Sequence, residues 1–452
     1  MNLPEKFIAA SKELLQEDFP KFLQALEIPA PISIRVNDKL PLKPSEEKVP
    51  WCNEGYYLSK RPLFTADPLF HAGAYYVQEA SSMLLQEILH QLVPKNSKIL
   101  DLCAAPGGKS TLISQFVNNE GLLVCNETVR SRAYILAENM MKWGNDAVVV
   151  TSNQPEDFER LPSFFDVVVV DAPCSGEGMF RKDAGAIDEW SENNVKMCAS
   201  RQKTILKQVW NALKPDGILI YSTCTYNREE DEKNVEWIEQ KFGAEFLPVN
   251  IEKYPKITSF GKGYRFFPHQ VKGEGFFVAA LRKKVDFPVS NEKTFKKKIK
   301  GLDAKIPREV DNLSNGLKFP DKWKIYQQKN QIFAFDKDKS DWLEAIRTNL
   351  NVLTFGIHLA EQKGTDFIPN TGLALSKQIN LSNFNRIELD KKTALHYLKG
   401  ETIDLPDAEK GFVLLTYQSL PIGWVKNLGN RCNNLYPSEW RIRMNLQNLD
   451  LF

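Results

Sequence analysis

The chain has 452 residues, of which 42% are hydrophobic and 26% charged, with 59 Lys and Arg against 57 Asp and Glu. That length exceeds one ordinary core and predicts two or three domains, while the composition excludes a disordered protein. The near-balanced charge means that any nucleic-acid surface must come from local clustering, not from an overall basic field.

At the N-terminus, Met1-Asn2-Leu3-Pro4-Glu5 lacks the basic-then-apolar pattern of a signal peptide, and no apolar run approaches the ~18 residues of a membrane span. The cysteines Cys52, Cys103, Cys125, Cys174, Cys198, Cys224 and Cys432 include no CxxC pair, which gives little support to zinc; no metal and no membrane partner are expected. A cytoplasmic chain with free thiols is the natural expectation. Phe7, Leu14, Leu15, Phe19, Phe22, Leu23 and Leu26 predict two short helices separated near Pro20. Residues 33–37 alternate like a strand and lead into turn-rich sequence as far as Pro62. Ala80, Leu84, Ile88 and Leu92 then form a helical stripe, read as core packing.

Strands are predicted at 98–102, 122–126, 147–151, 166–171 and 217–222, with helices between them, as at 130–143 and 195–213. Strands regularly separated by helices imply an α/β fold with a mostly parallel, doubly wound sheet. A late strand at 276–281 is expected to close the sheet edge. After Asp286, the lysines Lys293, Lys296, Lys297, Lys298 and Lys300 mark 286–305 as a basic linker or a phosphate-contacting arm. Short strands are expected beyond it at 411–416, 423–425 and 440–444.

The first central strand runs into Cys103-Ala104-Ala105-Pro106-Gly107-Gly108-Lys109, followed at once by a predicted helix. Glycines let the backbone approach a ligand closely, and a helix start offers unpaired N–H groups, a combination that suits nucleotides. It is not a P-loop, because Cys103 stands where that motif needs glycine. Glu127 ends the next strand, where an acid can accept hydrogen bonds from both ribose hydroxyls of an adenosine-containing cofactor; it could equally cap the following helix. S-adenosylmethionine (SAM) fits better than NAD, since the loop is not the dinucleotide fingerprint.

The fourth and fifth central strands end in Asp171-Ala172-Pro173-Cys174 and Ser222-Thr223-Cys224. As neighbours they would lie about 4.8 Å apart and bring Asp171, Cys174 and Cys224 to the ligand side of the sheet. A lone cysteine is usually a small buried hydrophobe. Two just past adjacent strand ends are harder to dismiss. Methylation of carbon 5 of cytosine needs a thiol and a carboxyl together. Thiolate addition at carbon 6 makes carbon 5 nucleophilic, and a carboxyl near ring nitrogen 3 stabilises the charge that develops there.

In combination, YVQEASSM (76–83), DLCAAPGGK (101–109), DAPCSGEG (171–178) and STCTYNREEDE (222–232) resemble the Nop/Sun family of RNA (cytosine-5) methyltransferases. The late stretch 265–281, with Pro268, His269 and Gly275-Phe276-Phe277, also fits. The likeness covers roughly 29–284. DAPCSGEGMFRKD through Asp183 and a PUA-like tail are similar to the bacterial RsmF-like branch, which modifies small-subunit (16S) ribosomal RNA.

The resemblance implies a SAM-dependent methyltransferase (Rossmann-like) sheet at 93–285 and an N-terminal α+β RNA-binding extension at 1–92. It also implies an RNA-binding region at 306–452, with a PUA-like β-rich module from about 385. SAM is the implied cofactor, and 16S rRNA or the small ribosomal subunit the implied partner. Cys224 resembles the nucleophile, Cys174 the cysteine that assists product release, and Asp171 the carboxylate that contacts cofactor and base. Cys103, Ala104, Ala105, Pro106, Gly107, Gly108, Lys109 and Glu127 resemble the SAM pocket. Gln154 stands where the family usually has an aspartate, and its amide can still bond the adenine amino group. Lys426, Arg431, Arg441 and Arg443 are collectively expected to contact RNA, while the tail's Trp and Tyr could instead fill a small core. A catalytically silent ribosome-assembly factor on the same fold, or a SAM enzyme acting on DNA or protein, are the alternatives. The intact Cys174 and Cys224 argue against the first, and the PUA-like tail against the second.

Overall fold

The computed structural model describes residues 1–40, 44–117, 120–284 and 307–445, so the basic stretch 286–305 lies outside the described residues. Helices Glu5–Leu15 and Phe19–Glu27 form near the N-terminus, with Pro20 opening the second, where its missing N–H has no intrahelical partner to lose. Their apolar residues Phe7, Phe19, Phe22 and Leu26 close on Phe180, Trp190 and Tyr226 of the central domain. Strands β1 (Ile32–Val36), β2 (Gly55–Leu58) and β3 (Tyr75–Val77) make an antiparallel sheet in the order β2-β1-β3. The stripe from Ala80 resolves into a 3-10 turn, Ser81–Leu84, and a helix, Leu85–Leu92, packed inward.

The central strands are β4 (Lys98–Asp101), β5 (Leu122–Asn126), β6 (Val148–Thr151), β7 (Phe165–Asp171) and β8 (Leu213–Thr223). They continue with β9 (Glu245–Phe246), β10 (Thr258–Ser259), β11 (Tyr264–Phe266) and β12 (Phe276–Arg282). Beyond the linker come β13 (Trp323–Gln328), β14 (Gln331–Asp336), β15 (Val352–Phe355), β16 (Ile357–Lys363) and β17 (Asp366–Pro369). One large sheet runs β10-β11-β12-β8-β7-β4-β5-β6-β15, with β9 attached to β12. Strands β6, β5, β4, β7 and β8 are mutually parallel. Their near-continuous Val, Leu and Ile runs follow from burial on both faces. Ile99, Leu123, Val148, Val167 and Val169 enter one core, and Leu100, Val124, Val149, Val168 and Val170 the other.

Both sheet edges differ from expectation. β12 does not close the edge: it pairs antiparallel with β8 on one side and β11 on the other, and Phe276 to Leu281 are buried throughout, as befits an interior strand. At the opposite end β15, from beyond the linker, pairs antiparallel with β6. The chain order reverses between β4 and β7, and such folds bind ligands outside the carboxyl ends of the strands at that point.

The tail carries a sheet of β18 (Arg386–Glu388), β19 (Gly411–Tyr417), β20 (Leu420–Asn427) and β21 (Cys432–Asn434). Instead of a strand at 440–444 there is one 3-10 turn, Ser438–Trp440, followed by irregular chain. Trp424 and Tyr436 are core residues here, which decides between the two expectations for the tail's aromatics at those positions. Among the described residues no helix is long and apolar enough to cross a membrane.

Candidate active site

β4 delivers the buried Asp101 to a loop containing a cis Ala105–Pro106 bond, and helix Gly108–Val117 starts directly after it. Gly107 has φ +120°, a conformation that side-chain-bearing residues avoid. The loop is fixed from outside. Ala104 N–H donates to Asn126 O (2.8 Å), Asn139 Nδ2 to Pro106 O (2.8 Å) and Arg132 Nη2 to Ala105 O (3.1 Å). From the N-terminal sheet, the buried Arg35 donates to Gly108 O (3.4 Å) and to Gln78 (2.9 Å) and Gln115 (2.9 Å), buttressing the helix start. The first N–H groups of that helix lack intrahelical acceptors and remain for a ligand.

Three carboxyl groups surround this loop. Asp101 accepts from Ser110 Oγ through Oδ2 (2.6 Å), while its buried Oδ1 has no hydrogen-bond partner. Burial, reinforced by Asp171 and Glu127 against the Ser110 bond, pushes the Asp101 carboxyl up to about 7. Glu127 is buried at the end of β5; Oε1 accepts from Val129 N–H (2.9 Å), and Oε2 lies 3.6 Å from Arg132 Nη1. It thus braces the turn before the next helix with one oxygen and keeps the other turned to Arg132. Val129 beside it is an exposed apolar residue. Burial and the charges of Asp101, Asp171 and Glu127 together push the Cys103 thiol up. Such an under-neutralised acidic cluster suits a cationic ligand with hydroxyls and an amino group.

Asp171 and Ser222 are direct partners in the β7–β8 register, and Ser222 Oγ donates to Asp171 Oδ1 (2.8 Å). Lys109 Nζ holds the other oxygen at 2.7 Å. Burial works against the Lys109 charge, but Asp171, with Cys224 and Asp101 further off, outweighs it and keeps the ammonium above the usual lysine value. The two loops meet as expected: Cys174 Sγ lies 3.0 Å from Cys224 Sγ, and Cys224 N–H points at Cys174 Sγ (3.3 Å). Both are free thiols, partly exposed. Contact with Cys224, then burial, then the charge of Glu230 push the Cys174 thiol well up. Gly178 seals the corner: its N–H donates to Cys224 O (2.8 Å), and a Cβ there would come within 2.5 Å of Gly275 O.

Behind the thiols lies a layer that the sequence reading assigned no role. Glu177 accepts from Tyr226 N–H (2.8 Å), Trp190 Nε1 (2.9 Å) and Asn227 Nδ2 (3.1 Å). Arg265, fully buried, holds Glu232 through Nε (2.7 Å) and Nη2 (2.5 Å) and Asp231 through Nη2 (3.1 Å), and donates to Tyr226 O. These residues fall within the motifs 171–178 and 222–232 and the stretch 265–281, but the acid run 229–232 by itself is ordinarily read as a solvated turn.

A model of the 16S rRNA methyltransferase RsmB/F family matches residues 89–282. Models of the RsmF N-terminal domain and the RsmF PUA domain match residues 3–80 and 384–442. Proteins named ribosomal RNA small subunit methyltransferase F are similar over 96% of both chains: 32% identical in Erwinia tasmaniensis and 33% in Citrobacter koseri and Escherichia coli. The chain belongs to the RsmF family of 16S rRNA methyltransferases. Among solved structures, a methyltransferase homologue from Pyrococcus horikoshii is 28% identical with TM-score 0.54, covering 62% of this chain and 95% of that one. NSun6 from the same organism, crystallised with SFG, is 23% identical with TM-score 0.53, covers 63% and 99%, and shares the fold.

Membership in the RsmF family makes SAM the methyl donor, and the residues present fit it. The orphaned Asp101 Oδ1 and the acids around Cys103 suit its two positive charges, and Glu127 suits a ribose. Gln154 is exposed just past β6, its N–H held by Asp157 Oδ2 (3.0 Å). In the PUA domain Arg431, Arg441 and Arg443 are exposed, and Lys426 pairs with Asp366 (3.7 Å). Among the described residues no group of three or more His, Cys, Asp or Glu is placed to hold a metal ion.

Proposed function

We propose that the chain forms 5-methylcytosine in 16S rRNA through a covalent bond between Cys224 and carbon 6 of the target base. The observation that carries this is the pair of sulfurs 3.0 Å apart beside a carboxylate gripped by Lys109 and Ser222, at the strand ends that border the cofactor loop. A free cysteine has a pKa near ~8.5, so a nucleophilic thiolate calls for a nearby cation, and Lys109 is an ammonium that interacts with Cys224. SAM, when bound, supplies an electrophilic methyl group.

Cys103 to Lys109 and Glu127 hold the donor, and the Gln154 amide meets its adenine. The Cys224 thiolate adds to carbon 6, and the electron pair displaced from the ring makes carbon 5 nucleophilic toward the methyl. Asp171 meets ring nitrogen 3, and a proton shared between its carboxyl group and that nitrogen offsets the negative charge that develops there as the sulfur adds. Once the methyl is on carbon 5, the proton there leaves to a base, the electron pair re-forms the ring double bond, and the Cys224 sulfur departs. Cys174, in contact with that sulfur, assists this last step. The target base must be unpaired or extruded to reach the thiols. Residues 1–92 and 306–452, with the PUA-like module from about 385 and its Lys426, Arg431, Arg441 and Arg443, bind the surrounding RNA, while 93–285 carries the chemistry.

The test is transfer of tritiated methyl from SAM to 16S rRNA or small subunits, with DNA and protein as comparison substrates. Cys224→Ser is expected to reduce transfer to background. Cys174→Ser is expected to accumulate a protein–RNA adduct that survives denaturing electrophoresis. Retained activity in Cys224→Ser, or equal loss in both variants with no adduct in either, would overturn the assignment.

A further inference from the structure

We propose that Glu230 is a positioning residue, bonding the turn after β7 to the turn after β8 so that the Cys174 thiol is held, protonated, against Cys224. This rests on the reading of Cys174 as the release cysteine. Glu230 is fully buried two turns of chain beyond Cys224, yet both carboxylate oxygens reach the Cys174 loop. Oε2 accepts from Ser175 N–H (3.0 Å) and Gln202 Nε2 (2.8 Å); Oε1 accepts from Ser175 Oγ (2.5 Å) and Asn227 Nδ2 (2.8 Å). Gln202 also donates to Pro173 O (3.1 Å), so the residues on both sides of Cys174 are tied to one carboxylate. Asn227 fixes the other loop, accepting from Glu230 N–H (2.9 Å) through Oδ1.

All four donors to the carboxylate are neutral. They satisfy both carboxylate oxygens but bring no compensating charge. That uncancelled charge acts on Cys174, on whose other side stands Cys224. Glu177, Asp231, Tyr221 and Cys198 also face Glu230, and each is disfavoured from gaining negative charge by it. The geometry therefore sorts two sulfurs in contact. Cys224, the proposed nucleophile, is the sulfur that interacts with the Lys109 ammonium. Cys174 sits over a carboxylate and is suited to remain S–H, so that its proton can pass to the departing Cys224 sulfur.

Glu230→Gln keeps size and two of the acceptor contacts while removing the charge. In the full-length Cys224→Ser background, iodoacetamide labelling of Cys174, followed by peptide mass mapping across pH, reads the thiol without RNA or SAM. The labelling midpoint is expected to fall by about one pH unit in Glu230→Gln and to stay high in Glu230→Asp, which keeps the charge; thermal melts confirm that each variant is folded. With Cys224 intact, Glu230→Gln is expected to complete a first turnover near the parent rate but to release product several-fold more slowly, leaving trapped adduct. An unchanged labelling midpoint in folded Glu230→Gln overturns the inference whatever happens to activity. If Cys174→Ser itself traps no adduct while the midpoint falls, it is the release role of Cys174 that fails, and the positioning of a protonated thiol stands.

Discussion

Two groups of buried acids flank the reacting centre, and they differ in what neutralises them. Around the cofactor loop, Asp101 is crowded by the charges of Asp171 and Glu127, and one of its oxygens bonds nothing, while the half-buried Asp171 is held by Lys109. Glu177, Glu230, Asp231 and Glu232, behind the thiols, are met by backbone N–H, amide, indole and hydroxyl donors or by Arg265. Glu230, bonded through both oxygens, serves as scaffold, whereas the open oxygen of Asp101 waits for a ligand. Burial alone does not separate the two, since Asp101 and Glu230 are equally hidden. The partner inventory does.

The contrast is broken most severely from the scaffold side. Arg265→Leu would leave Asp231 and Glu232 buried and unpaired, and should cost about 3–5 kcal/mol in denaturant unfolding. A loss under about 1 kcal/mol would mean that water reaches that layer.

A second test sharpens the ligand side. Asp101 keeps its proton up to about pH 7 in the folded chain, against an ordinary value of 3.8. The folded state therefore holds the extra proton between those values, and stability falls as pH rises through that window. A cation arriving at Asp101 displaces the proton, so SAM affinity by calorimetry should rise between pH 6 and 8, by up to about tenfold. Asp101→Asn should flatten both dependences; a pH slope that survives in Asp101→Asn places the proton elsewhere. The smallest expected effect is at the exposed Gln154, where Gln154→Ala should weaken SAM binding about threefold, the worth of one modest hydrogen bond. No change in the dissociation constant would remove Gln154 from the pocket.

The five parallel strands were legible because uninterrupted apolar runs bounded by helical stretches have few other readings. Both cysteines were legible for a related reason: strand ends deliver their next residues to a known side of the sheet. What stayed hidden was polar and non-local. β15 is a four-residue strand whose partner, β6, lies about two hundred residues earlier, and Val-Leu-Thr-Phe carries no signal of that pairing. Glu230 sits in Arg-Glu-Glu-Asp-Glu, which in one dimension looks like a solvated turn; only three dimensions reveal its four donors.

β15 also changes what can be cut from the molecule. It sheathes β6, and its neighbour Asn351 clasps the following turn, donating its N–H to Asn153 Oδ1 (3.0 Å) and accepting from Ser152 N–H (3.0 Å). A fragment ending at the linker would bare a hydrophobic strand rim, ready to zip onto another copy. It would also loosen the turn that presents Gln154. Dissecting catalysis from RNA binding in this chain therefore calls for point changes in the tail, because amputation would wound the catalytic sheet itself.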